Sequence, residues 1–367
     1  MNITHLRLHA QQLLGSRLER PQDVVQWLGA VQSQDYPGAK WGLAQRLNAA
    51  TDAGIDRAFA EGSFLRTHVL RPTWHFVIPE DIRWMLELTA PRIKKTLASY
   101  DRGLELEDTV YAAANATFAQ ALQDGTHLTR AELGGVLEDA GIIASGQRLA
   151  HIVMRAELDA VICSGVPRGK QQTYALLSER APDARRLYRE EALAELTRRY
   201  FTSHGPALAQ DFAWWSGLRV ADATTGIQMV KGDLASETVE GKTYWFSPSN
   251  TEPYAPDAVA HLLPNYDEYL IAYRDRSAFF DPSRLGDARF FRDVLRRHIL
   301  VVDGQVTGGW HSAVKRDDVV IQAIFLTELN AGQRSGLERA AKEYARFLGK
   351  SAAILAQANS YERTDNG

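Results

Sequence analysis

Apolar residues recur at helical spacing in three successive stretches of the chain, and each stretch ends in a β-rich run bounded by turn residues. The clearest lies between Asp108 and Leu177. Asp108–Gln123 reads as a first helix. Thr129 stands three residues before Glu132, a capping-box spacing that opens a second helix, and Gly141 closes it. A third fits Gly146–Asp159, with Leu149, Ile152, Val153 and Ala156 on one face. Two β-rich runs follow, 161–163 and 173–177, joined by Ser164-Gly165-Val166-Pro167-Arg168-Gly169-Lys170, a turn with two positive charges.

The other two stretches repeat this order. Upstream, 2–14, 21–33 and 39–47 read as helices, a short helix fits 54–61, and 64–78 is strand-rich with a break at Arg71-Pro72. Downstream, 190–203, 206–216 and 219–231 read as helices, with Pro206 at a helix start where its missing N–H costs nothing. A hairpin around Glu240-Gly241-Lys242 fits 234–247. Helices followed by a hairpin are the order of a winged helix, in which one helix enters the major groove and the wing touches the backbone. The last part departs from it: Asp303-Gly304 between Ile299–Val302 and Gln305-Val306 predicts a tight hairpin, Val319–Leu326 a strand, and 331–348 a helix. The expected fold is therefore mainly α with β-hairpin wings (α+β). Three tandem winged helices occupy 1–105, 106–188 and 189–367, the last carrying a β-rich C-terminal appendage and a docking helix.

The 367 residues suit two or three domains, and eight Trp, thirteen Tyr and thirteen Phe supply a sizeable core. The N-terminal MNITHLRLHAQQLLGS contains no long apolar run, so neither a signal peptide nor a membrane segment is expected and the reading is cytoplasmic. Cys163 is the single cysteine, which excludes intrachain disulfides and cysteine metal clusters. Net charge of −3 argues against indiscriminate phosphate binding. Locally the balance reverses: residues 147–200 hold ten basic against seven acidic side chains, and 83–102 hold five against two. Such clusters bear on function only if they fall on elements that touch DNA.

Two segments carry candidate chemistry. In Val31-Gln32-Ser33-Gln34-Asp35-Tyr36-Pro37-Gly38, Pro37 and Gly38 predict that the preceding helix ends near Ser33. Gln32, Gln34 and Asp35 then crowd a loop at a helix C-terminus. Carbonyl capping by the two glutamines is the plainer account of them. In Arg66–Val77, extended backbone puts Trp74 and Phe76 on the core side, and Thr73 and His75 on an exposed surface or cleft. No His pair has metal-site spacing, and no phosphate-loop or nucleophile-elbow string occurs, so neither metal nor cofactor is expected.

With these segments in view, the chain resembles the bacterial winged-helix family that includes the azinomycin-resistance glycosylase and crosslink-unhooking DNA glycosylases. The resemblance spans nearly the whole length. It rests on Ala30–Asp35, Leu70–Val77, Gly205–Leu218 and Leu263–Tyr269. It implies three winged helices in a C shape whose basic concave face holds double-stranded DNA with alkylated bases, acting as a monomer. Gln32 and Gln34 match the two amides of the family's Gln-x-Gln motif, whose middle position is usually apolar but is Ser33 here. The implied activity is removal of purines alkylated at N7 or N3, some of them bulky, by hydrolysis of the N-glycosidic bond. Gln32 and Gln34 would be catalytic with Asp35 in support, and Arg71, Thr73 and His75 close by. Arg168, Lys170, Gln171 and Lys242, on the second and third wings, would contact DNA. The alternative is a non-catalytic DNA-binding protein or regulator on the same scaffold.

Overall fold

In the first stretch the first two helices stop sooner than their periodicity predicts, the second at a glycine of positive φ. The computed structural model describes residues 1–250, 258–280, 298–326 and 328–357. In it, helix α1 spans Ile3–Ala10 and α2 spans Pro21–Leu28, not 2–14 and 21–33. Gly29 takes φ +80°, which few residues but glycine adopt cheaply, and this turns the chain out of α2. Val31–Gln32 therefore continues as strand β1. Asp35 accepts the Gly38 N–H and caps α3 (Tyr36–Ala44), with Pro37 in its first turn where no hydrogen bond is lost. α4 (Asp52–Glu61), β2 (Leu65–His68) and β3 (Trp74–Val77) follow. The sheet order is β1-β3-β2, all antiparallel, with His75 opposite Gln32 on one side and Thr67 on the other.

The long helix α5 (Pro79–Gly103) leads to the second round. It comprises α6 (Asp108–Ala121), β4 (Leu128–Thr129), α7 (Arg130–Asp139), α8 (Gly146–Leu158), β5 (Ile162–Ser164) and β6 (Thr173–Leu176). The Thr129–Glu132 capping box forms as predicted, and the sheet order β4-β6-β5 repeats the first. After the short α9 (Leu177–Arg180) come α10 (Arg189–His204), α11 (Ala209–Ser216), α12 (Val220–Met229) and the hairpin β7 (Ala235–Val239) and β8 (Lys242–Phe246). Ala207 bridges Trp245 of β8, standing where β1 and β4 stand in their sheets. Pro206 consequently does not open a helix: the Gly205–Pro206 peptide is cis, and α11 begins at Ala209. One order thus occurs three times, a helix, a short strand or bridge, two helices and a hairpin.

Among the described residues there follow β9 (Ala260–Leu263), α13 (Glu268–Ile271), β10 (His298–Val302), β11 (Gln305–Val314), β12 (Asp318–Phe325), α14 (Ala331–Phe347) and β13 (Ala352–Gln357). Their sheet runs β13-β12-β11-β10-β9, antiparallel except for the β12–β13 pair. This unit is more than an appendage of the third round. Its Leu262, Trp310 and Leu337 share one buried cluster with Val24, Leu28, Ile55 and Phe76 of the first. The second round keeps a cluster of its own between Leu106 and Leu176. Among the described residues, no helix is long and apolar enough to cross a membrane.

Candidate active site

The Gln-rich segment leaves the sheet one residue after β1, and that exit separates its two amides. Ser33 still donates its N–H to the Trp74 carbonyl at 2.7 Å, and Arg66 clamps the Ser33 carbonyl through Nε and Nη2 at 3.2 and 3.0 Å. The Ser33 side chain is wholly buried, and its hydroxyl has no hydrogen-bond partner within the described residues. An apolar side chain would suit that place better. Gln32 is 5% exposed; its Oε1 accepts from Arg71 Nη2 at 2.7 Å, so the amide is oriented with its NH₂ group away from the arginine. Gln34 is exposed, and among the described residues its Oε1 has one long contact, 3.4 Å from the Trp74 N–H.

Gln34 and Asp35 open onto a groove of about 860 Å³. Its near wall carries Tyr36, Lys40, Asp56 and Arg57, and its far wall is the β5–β6 turn with Pro167, Gly169, Lys170 and Gln172. The groove thus joins the first round to the hairpin of the second. The Lys40 cation is taken up internally, since its Nζ lies 2.7 and 2.8 Å from Asp52 and Asp56. Burial, with Asp56 accepting from the Tyr36 hydroxyl, pushes that phenol far above its usual range, so Tyr36 is a donor and not a base. Behind the groove, Trp74 is flanked by Arg66, Arg130 and His68, with Arg66 4.3 Å from its ring centre.

A family model described as DNA glycosylase AlkZ-like matches residues 25–347, most of the chain and all of this site. The chain belongs to the AlkZ-like DNA glycosylase family. A curated relative, the interstrand DNA cross-link repair glycosylase of Streptomyces sahachiroi, is 25% identical over 341 residues, covering 88% of each chain. The solved structure of the Streptomyces sahachiroi DNA glycosylase AlkZ superposes with a TM-score of 0.80 at 23% identity, covering 97% of this chain and 98% of that one.

In this AlkZ-like chain the remaining predicted residues are spread out. His75 is fully buried, not in an exposed cleft, because β3 is the central strand and both its faces are covered. Burial, with Arg71 nearby, lowers its imidazole to about 3, so it stays neutral. Its Nδ1 meets the Thr73 carbonyl at 2.9 Å. Arg71 is held from behind: Gly217, at φ +69°, ends α11 so close to Leu70 that a Cβ there would meet the Leu70 carbonyl oxygen at 2.0 Å. Only glycine lets α11 press on the Arg71 loop in this way. The exposed ring of Trp214 lies 5.6 Å from the Arg71 guanidinium.

The wing cations differ from one another. Arg168 spans Glu132 and the His127 carbonyl. Hydrogen bonds from Arg168 and Thr129 hold the Glu132 carboxyl at about 2. Gln171 closes the same turn through paired backbone bonds with Arg168. Lys170 has no ion pair among the described residues. Lys242 is bound to Asp275 at 2.6 Å and lines a different pocket with Arg274 and Trp245. Much of the basic excess between 147 and 200 is likewise spent internally. Arg185 and Arg199 both grip the buried Asp81, Arg155 grips Asp159, and Arg180 caps carbonyls at the end of α4.

The residue that sequence reasoning passed over is Glu268. It is 1% exposed, and its carboxylate accepts the Gln32 backbone N–H at 2.7 Å and the Trp215 indole N–H at 2.9 Å. The only signal was its place beside Asp267 in Leu263–Tyr269, one of the segments that carry the family resemblance.

Proposed function

We propose that the protein is a monofunctional DNA glycosylase that hydrolyses the N-glycosidic bond of purines alkylated at N7 or N3, bulky ones included, in repair or genotoxin self-resistance. The three repeated units are read as winged helices, divided at 1–105, 106–188 and 189–367, that curl round a DNA duplex. The observation that carries this reading is the groove, in a chain of this family, that brings Gln34 and Asp35 opposite Lys170.

The chemistry suits these groups. An amide cannot take a proton at neutral pH, so a site led by glutamine is a poor general base. An N7- or N3-alkylated purine already carries positive charge. When its bond to C1′ breaks, the electron pair neutralises the base, which leaves without protonation. Water adds to C1′ and releases its proton to solvent or to Asp35. Gln34 orients the water or the sugar, and the Asp35 carboxylate supports the sugar cation as it forms.

The test is incubation of the protein with duplexes carrying one 7-methylguanine or 3-methyladenine. Free base and an alkali-labile abasic site are expected as products. Tight binding without either product would favour the non-catalytic alternative. A second measurement concerns the wing. Because Arg168 is already paired, Lys170→Glu should weaken duplex binding and reduce the slope of log affinity against log salt by about one. Arg168→Glu should act mainly by breaking the Glu132 pair, and equal salt slopes for wild type and Lys170→Glu would remove Lys170 from the interface.

A further inference from the structure

Gln32 is gripped from two sides by groups far from it in sequence. Arg71 holds its side-chain oxygen, and Glu268, 236 residues away, holds its backbone N–H at 2.7 Å. Glu268 lies out of solvent: it is 1% exposed, with Trp215 Nε1 at 2.9 Å and His204 Nε2 at 3.6 Å. A buried carboxylate is costly to desolvate unless hydrogen bonds offset that cost. Burial drives its pKa up, yet the nearby His204 imidazole and the bond from the Gln32 N–H prevail and hold it below the usual carboxylate range. Its segment is itself anchored, since the adjacent Asp267 makes a bidentate pair with buried Arg46 and Gln11 Nε2 donates to the Glu268 carbonyl.

For a strand of two residues this is an unusual degree of support. β1 makes few ladder bonds with β3, and just beyond it the chain leaves the sheet. Nothing in so short a strand fixes the pitch of the Gln32 backbone on its own. A charge-assisted bond to an immobile carboxylate does so, and is about twice as strong as a neutral one.

We propose that Glu268 is a positioning residue: acting through the main chain of Gln32, it sets the direction of the Gln32 amide, and of the Arg71 side chain that amide holds, behind the groove. The proposal rests on the glycosylase reading for its effect on the reaction, but not for the contact itself.

Two readouts separate these parts. In Glu268→Gln, exchange of the Gln32 backbone amide with deuterium should speed up by about tenfold or more, as a charge-assisted bond becomes a neutral one, while the Phe76 and Val77 amides keep their protection. Unchanged Gln32 exchange overturns the proposal whatever the enzyme does. Single-turnover excision of 7-methylguanine at saturating enzyme should fall by about 10- to 100-fold, with duplex affinity unaltered. That loss should vanish when Glu268→Gln is made in a Gln32→Ala background, since a residue acting through Gln32 has nothing left to position. An equal loss in both backgrounds means a general structural role and rejects the proposal. Trp215→Phe, which frees one carboxylate oxygen and keeps the charge, covers the case in which Glu268→Gln does not fold, and should give a smaller loss with the same dependence on Gln32. Faster Gln32 exchange in a protein that excises no alkylated purine would uphold the contact and count against the glycosylase reading alone.

Discussion

A Gln32→Ala/Gln34→Ala double variant is expected to lose at least about 100-fold in single-turnover excision of 7-methylguanine, the scale on which displaced reacting groups cost rate. It should still melt cooperatively and bind duplex DNA, because Gln34 is exposed and the buried Gln32 amide gives up one side-chain bond, to Arg71. The single variants then divide the effect. Gln34 lies on the groove with only a 3.4 Å contact holding it, so Gln34→Ala removes a group free to meet the substrate. Gln32 lies behind it with its oxygen committed to Arg71, so Gln32→Ala also leaves a half-buried guanidinium without its acceptor. A loss confined to Gln34→Ala assigns substrate contact to that residue and support to the other. Asp35→Asn completes the set: asparagine caps a helix as well as aspartate, so α3 is preserved and any loss reads the charge alone. Turnover undiminished in the double variant removes this segment from catalysis.

The contrast between the two glutamines was beyond the reach of sequence periodicity, for a local reason. A helix running to Ser33 and a helix stopping at Leu28 have the same apolar face, Val24, Val25 and Leu28, and differ only in the backbone of Gly29. Two-residue strands such as β1 and β4 carry no alternation to detect. Longer or capped elements were legible: the Thr129–Glu132 box, the Asp303-Gly304 hairpin and the helix at 331–347 all form close to their predicted bounds. The threefold recurrence of order was readable too, because each round brings its own helices and turn residues.

The candidate site was legible only in part. Gln34, Asp35 and Lys170 do line one groove, from segments more than a hundred residues apart. His75 was misread because alternation says which face a side chain takes but not whether that face is covered. Arg168 and Lys242 were indistinguishable from free cations until Glu132 and Asp275 were found beside them. Glu268 depends wholly on a long-range meeting of the first round with the C-terminal segment, for which one sequence holds no periodic trace.

That meeting is where the largest effect on stability is expected. Arg46 and Asp267 form a bidentate pair at 2.9 and 2.8 Å, each side chain only 2% exposed, between α3's end and the turn before α13. Arg46 also donates to the carbonyls of Gln11 and Gly42, so its guanidinium has no route to water. Asp267→Ala strands that charge, and breaking a buried pair from one side costs about 3–5 kcal/mol. The urea midpoint should fall accordingly. Replacing both partners by apolar residues, Arg46→Met with Asp267→Leu, should recover much of the loss, since the penalty belongs to the unpaired charge and not to the missing attraction. The two variants part company in function. Where the double replacement regains stability but not excision, the pair's second task is to hold the Glu268 segment against β1. Where Asp267→Ala leaves the midpoint unmoved, the first round and the C-terminal sheet are held together by their shared apolar cluster alone.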